Sequence, residues 1–304
     1  MTHSRRLFEF KDGFEEVPYG LHLVAGLSGF TDAGSTLNQV ADQIFANLDT
    51  KLVVQFKNDE LLDYRSRRPI MFFERDHIEH YEPPILGLYL VHDEVNQPFL
   101  YLHGYEPDFR WDEFTEAVLD LAIGLEVSDF TWVHSIPFPI PHTRAVGVTV
   151  SGNRQDIIDS VSEWKPQTQV PGNVLHFLEF NFSKEEVPTV GFVMLVPHYL
   201  SESEYPQAAV TAFEQISSAT GLVFPTDALR DEGVEFIGKL QEQLDKNDEL
   251  GKLVANLEQG YASEKSGPNR APIAKPITKM PTAEEIAAEL EGYLATRRRN
   301  SLED

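Results

Sequence analysis

The sequence has no cysteine among its 304 residues, which removes disulfides, thiolate metal ligands and cysteine nucleophiles and gives no reason to look for an oxidising compartment. Long apolar runs are missing as well. The longest, residues 85–91 and 190–196, have the length of a strand and fall far short of a membrane span. Near the N-terminus, Glu9, Lys11 and Asp12 interrupt the apolar residues before a signal peptide could form, so a soluble, cytoplasmic protein is expected. Basic charge is scarce: 25 Lys and Arg against 49 Asp and Glu leave a net charge of −24. Such a body repels phosphate backbones and anionic lipid, which speaks against nucleic acid and membranes as partners. No lysine follows a glycine-rich turn in the Walker manner, the dinucleotide glycine spacing is absent, and no Gly-x-Ser-x-Gly elbow occurs. His77 and His80 stand three apart without a third ligand. Neither cofactor nor metal is expected.

What is present suits a sizeable core: 41% of residues are hydrophobic and 11% aromatic. Residues 22–27 read as a buried strand, and Leu37, Val40, Ala41, Ile44, Phe45 and Leu48 repeat at helical spacing before a second strand at 52–56. That is one βαβ unit with parallel strands. Strands are predicted at 70–73, 85–91, 99–103, 129–134, 146–150, 174–180 and 190–196, and helices at 111–125 and 208–219, giving an α/β pattern around a mixed sheet. From Asp227 two amphipathic helices follow, broken near Asn247 and Asp248. Residues 263–281 hold four prolines and no usable period, the composition of a flexible linker. Thr282 and Glu285 form a capping-box pattern opening a last helix with Ile286, Leu290, Tyr293 and Leu294 on one face. The expected organisation is an α/β core over 1–225, a helical hairpin over 226–262 packed on the core or on a neighbouring subunit, a linker over 263–281 and a C-terminal amphipathic helix over 282–299. Residues 264–304 carry seven acidic and seven basic side chains, so the whole −24 lies on the preceding body. Lys265, Arg270, Lys275 and Lys279 could hold the arm against an acidic surface.

Several charged segments follow predicted strands. Gly29, Thr31 and Asp32 lie between a strand and a helix, where backbone amides can bind an anion unless Asp32 caps them itself. Residues 59–69 pack Asp59, Glu60, Asp63, Arg65, Arg67 and Arg68 together, a density that fits either an anion grip or an internal ion-pair network. Glu106, Asp108 and Arg110 sit in a further strand-to-helix turn, His142 and Arg144 in a proline-rich loop, and His198 just past a strand. If these strands end at one sheet edge, the residues share a cleft for an anion or a partner.

The motifs Gly29-Phe-Thr-Asp-Ala-Gly34, residues 59–69, Gly104-Tyr-Glu-Pro-Asp-Phe-Arg-Trp111, Ile140-Pro-His-Thr-Arg144, Val196-Pro-His-Tyr-Leu200 with Tyr205-Pro206, and Pro281-Thr-Ala-Glu-Glu285 together resemble the actinobacterial branch of the proteasome assembly chaperone two family. The resemblance spans nearly the whole chain. It implies a phosphorylase/hydrolase-like three-layer α/β sandwich around a mixed sheet, with a C-terminal helical extension. It also implies a non-catalytic assembly module that holds protein partners, itself among them, as a homo-oligomer with a trimer as first guess. Chaperones that dock on the proteasome ring often end in a hydrophobic residue, Tyr and one more, whereas this sequence reads Ser301-Leu-Glu-Asp304, so docking by that tail is not expected. The alternative is a small-molecule hydrolase or phosphorylase-like enzyme with an anion-binding cleft at the strand ends.

Overall fold

The computed structural model describes residues 7–161 and 169–264. Residues 7–161 and 171–264 all fall in one compact unit. The expected arm-docking face at Ile286, Leu290, Tyr293 and Leu294, like the predicted linker, lies outside the described residues.

Among the described residues there are ten strands: β1 (Phe8–Phe10), β2 (His22–Ser28), β3 (Asp49–Phe56), β4 (Ile70–Glu74), β5 (His77–Glu82), β6 (Gly87–His92), β7 (Pro98–Tyr105), β8 (Asp129–Phe138), β9 (Gly147–Gly152) and β10 (Thr189–Pro197). Eight of them form one mixed sheet in the order β1-β3-β6-β7-β2-β8-β10-β9, and β4 and β5 pair only with each other. The central run β7-β2-β8-β10 is parallel, while β6 and β9 turn back at its two sides. β2 and β3 do point the same way, but β6 and β7 lie between them, so the predicted unit is split by a later insertion of strands. The helices are α1 (Thr36–Asn47), α2 (Asn58–Leu61), α3 (Trp111–Gly124), α4 (Gln155–Val161), α5 (Val174–Lys184), α6 (Pro206–Thr220), α7 (Asp227–Leu244) and α8 (Asp248–Glu264).

Alternation along each strand builds a core on both faces of the sheet. Leu23, Ala25, Leu102, Phe130 and Trp132 meet Phe114, Val118, Leu178 and Phe182 of α3 and α5. Val24, Tyr101, Val133, Phe192 and Met194 meet Leu37, Val40, Ala208, Phe213 and Ile216 of α1 and α6, and Leu229 and Leu240 of α7 extend that layer. The result is the expected three-layer sandwich with further helices on one side. The Trp132 indole lies flat against Gly191, where an added Cβ would sit 2.2 Å from the ring, so β10 needs glycine at that point. Among the described residues no helix is long and apolar enough to cross a membrane.

One predicted strand is a helix. Residues 174–180 are mostly apolar and aromatic like a buried strand, yet Asn173 accepts the His176 amide at 2.9 Å while its own amide donates to the His176 ring at 3.3 Å. This reciprocal cap nucleates α5, and Val174, Leu175, Leu178 and Phe182 then share a buried helical face.

Candidate functional site

All strands of the parallel run, and β3 with them, end at one sheet edge, so the segments after β2, β3, β7, β8 and β10 converge there. In open α/β sheets this edge is where ligands bind, above all where the connections diverge to opposite sides. Here that place is β2, flanked by β7 and β8.

On the β7 side, Arg67 reaches back over the edge. Its Nη1 donates to the Glu106 carbonyl at 2.7 Å, and its Nη2 lies 3.1 Å from the Asp108 carboxylate. Asp108 in turn accepts the Asp63 amide at 2.7 Å, and the Asp63 carboxylate accepts the Arg65 amide at 2.9 Å. Gly29 makes room for this arrangement: a Cβ there would approach Arg67 Nη2 to 2.7 Å and Glu106 Cβ to 2.9 Å. The Glu106 carboxylate accepts the Val174 amide at 2.7 Å, capping α5. Burial pushes its pKa up, opposed by that amide and by Arg67.

On the β8 side, Asp32 turns inward. It accepts the amides of Leu37 at 2.7 Å and Asn38 at 3.2 Å, together with the Ser135 hydroxyl at 3.2 Å. Burial raises its pKa against these donors. The carboxylate thus occupies the amides at the start of α1, where an anion would otherwise bind. Thr31 donates its hydroxyl proton to the Ser135 carbonyl at 3.0 Å, so the 3.1 Å contact with His134 must be made by a proton on His134 Nε2. This fixes the tautomer and leaves His134 Nδ1 as a bare acceptor, buried and without a partner among the described residues. Burial, with His176 nearby, lowers the pKa of His134 to about 4, so the ring is neutral at physiological pH.

The other predicted residues form separate groups. Arg110 is forked between Glu113, whose Oε1 accepts its Nε at 2.9 Å, and Glu60; these carboxylates raise its pKa. The His142 amide donates to the Tyr199 hydroxyl at 2.8 Å, and that hydroxyl is also hydrogen-bonded to the ring Nδ1 at 2.7 Å. Arg144 grips Glu258 of α8 with Nη2 at 2.6 Å and Nε at 3.0 Å. His198 is exposed, with its ring edge-on to Tyr199. The edge therefore gathers Gly29, Arg67, Glu106, Asp108 and Asp63 into one network and Thr31 and Asp32 into a second beside it. Arg110 and the pair His142 and Arg144 stand in clusters of their own, and the Arg65 side chain stays in solvent. Among the described residues no three His, Asp or Glu side chains converge as a metal site.

Sequence reasoning missed His134, Ser135, the neighbouring Glu113 and the distant Glu258, and the ion pair expected of Glu60 within residues 59–69 is made with Arg110 instead. It also missed the largest unexplained feature. β4 and β5 form a hairpin in which every residue is exposed. In the register, Met71 faces Tyr81 and Phe73 faces Ile78. These two cross-strand pairs put four large apolar side chains together, 53%, 55%, 65% and 50% exposed, next to a shift in the register that leaves Glu79 without an opposite residue. The other side carries Ile70 opposite Glu82, Phe72 stacked on His80 at 4.1 Å, and Glu74 opposite His77.

The PAC2 family model matches residues 26–244. A Mycobacterium tuberculosis protein of unknown function has a similar structure, with TM-score 0.79 and 36% identity over 86% of this chain and 92% of that one. A Corynebacterium glutamicum protein of unknown function gives 0.82 and 34% over 87% and 100%. A Mycobacterium tuberculosis proteasome-assembly chaperone homologue gives 0.70 at 19% identity over 77% and 100%, a likeness of fold. A search of curated proteins finds no match.

Proposed function

The chain belongs to the PAC2 family, and from that premise we propose that it is a non-catalytic assembly module of the cytoplasm that holds protein partners, a second copy of itself among them. The hairpin carries this reading. A two-stranded hairpin standing alone in water is marginal at best, and large contiguous apolar patches on soluble proteins mark interaction sites. Met71, Phe73, Ile78 and Tyr81 are each about half exposed, so covering them with protein returns roughly 3–6 kcal/mol. A fold likeness to a proteasome-assembly chaperone homologue agrees with a binding role. A homo-oligomer is the first partner to test, and a trimer the first subunit count.

Sedimentation of the full-length chain tests it. The wild type is expected to assemble, and the double variant Phe73→Ser, Ile78→Ser to shift to monomer while unfolding like the wild type under dilute conditions where both are monomers. A wild type that stays monomeric throughout, or a variant that assembles as well as wild type, overturns the reading.

The second reading, an enzyme with an anion-binding cleft, has in its favour the convergence of charged loops at one sheet edge. Against it, Arg67, Arg110 and Arg144 each already hold a carboxylate. Phosphate or tungstate that bound the wild type but not Arg67→Ala would favour it.

A further inference from the structure

The arginines divide unevenly. Eight lie among the described residues, in a body with a large excess of carboxylates. Six of them have an ion-pair partner: Arg67 with Asp108, Arg75 with Glu74, Arg110 with Glu60 and Glu113, Arg144 with Glu258, Arg154 with Asp156, and Arg230 with Glu214. Arg65 and Arg68 have none among the described residues, and both are exposed. They are also close together in a particular place. Arg68 is two residues before β4, and Arg65 follows Tyr64, which is itself 38% exposed.

In an acidic molecule an unpaired arginine is out of step with its surroundings. Carboxylates are plentiful, and a guanidinium fork pairs with them in a bidentate way at little further ordering cost. Two such groups at the foot of an apolar hairpin make a surface with a greasy centre and a cationic rim, the usual anatomy of a protein interface. The matching surface is acidic. The chain itself supplies one, since its net charge of −24 lies wholly on the body before residue 264.

We propose that when the hairpin docks on a second copy of this chain, Arg65 and Arg68 close intersubunit ion pairs with carboxylates of that copy. The pairs offset the repulsion between two acidic bodies and fix which part of the neighbour the apolar side chains of the hairpin meet. This rests on the self-association reading above and names the charge half of the same surface. Phosphate-bearing ligands are a poorer match, because the surrounding field disfavours anions that lack an apolar part to bury.

The test is sedimentation equilibrium of the full-length wild type, Arg65→Ala with Arg68→Ala, and Arg65→Lys with Arg68→Lys, each at low and high salt. The alanine pair is expected to raise the dissociation constant roughly 5- to 30-fold at low salt and to flatten its salt dependence, and the lysine pair to recover part of the loss. Alanine variants that assemble with wild-type affinity and wild-type salt dependence overturn this inference while leaving the hairpin reading intact. If instead Phe73→Ser with Ile78→Ser assembles like wild type, the hairpin reading itself has failed, and this inference fails with it.

Discussion

The strand-end edge and the β4–β5 hairpin are built on opposite plans. At the edge, charged side chains already have partners: Arg67 has Asp108, Asp32 the amides of α1, Glu106 the amide of α5 and, in a cluster of its own, Arg144 has Glu258. In the hairpin, side chains that belong in a core stand in solvent, with two exposed arginines at its foot that have no ion-pair partner among the described residues. Polar groups drawn inward hold elements together, since each buried donor or acceptor left alone costs free energy. Apolar groups pushed outward gain only when something covers them. The edge therefore reads as a fastening and the hairpin as a surface for contact, although position in an α/β fold alone would have suggested the reverse.

If the edge is a fastening, disturbing it should cost stability. The largest effect is expected from acid. His134 is neutral in the folded chain with its pKa lowered to about 4 by burial, whereas the unfolded imidazole takes up a proton near 6.5. A lowered histidine pKa means that the unfolded state binds the extra proton first. This contribution to stability is intact above pH 6.5 and is lost progressively as the pH falls toward 4, by about 3 kcal/mol in all. Urea unfolding across that range should show the loss in wild type and a shallower decline in His134→Gln; parallel profiles would remove His134 from the account. Next in size is Arg67→Ala, which strands the Asp108 carboxylate and the Glu106 carbonyl together and should lower unfolding stability by about 2 kcal/mol. A loss under 0.5 kcal/mol would mean that the edge is open and solvated after all.

Much of this was legible before any coordinates. The turn at Gly29 and the dense charges of residues 59–69 announced a strand-end network, and the pattern of strands and helices announced an α/β sandwich. Pairings were not legible. Arg110 meets Glu60, and Arg144 meets Glu258, across separations that no local period encodes. The short apolar run of residues 174–180 concealed a helix because the decisive signal was a cap that begins just before it, Asn173 with His176. The hairpin was half visible: residues 70–73 read as a strand, whereas β5 was considered only for His77 and His80, a pair discounted as a metal site for want of a third ligand. What made the hairpin unusual, apolar side chains with nothing over them, is a property of tertiary structure and leaves no mark on composition.

The two smallest effects make the sharpest contrast. Asp32→Ala removes the carboxylate from the amides of Leu37 and Asn38 and should cost about 1 kcal/mol, as for the loss of a helix cap. Phe73→Ser, although it deletes a far larger side chain, should change the unfolding free energy of the isolated chain by less than about 0.5 kcal/mol, because a group 65% exposed makes few contacts that folding must form. Measured under dilute conditions where the protein is a monomer, the two variants ask the same question of opposite regions. If Phe73→Ser destabilises the monomer more than Asp32→Ala does, the hairpin packs on its own chain and is no docking surface. If the order is as stated, then any stability that Phe73 adds at higher protein concentration measures the contact between copies directly, since a partner that binds only the folded form stabilises it by mass action.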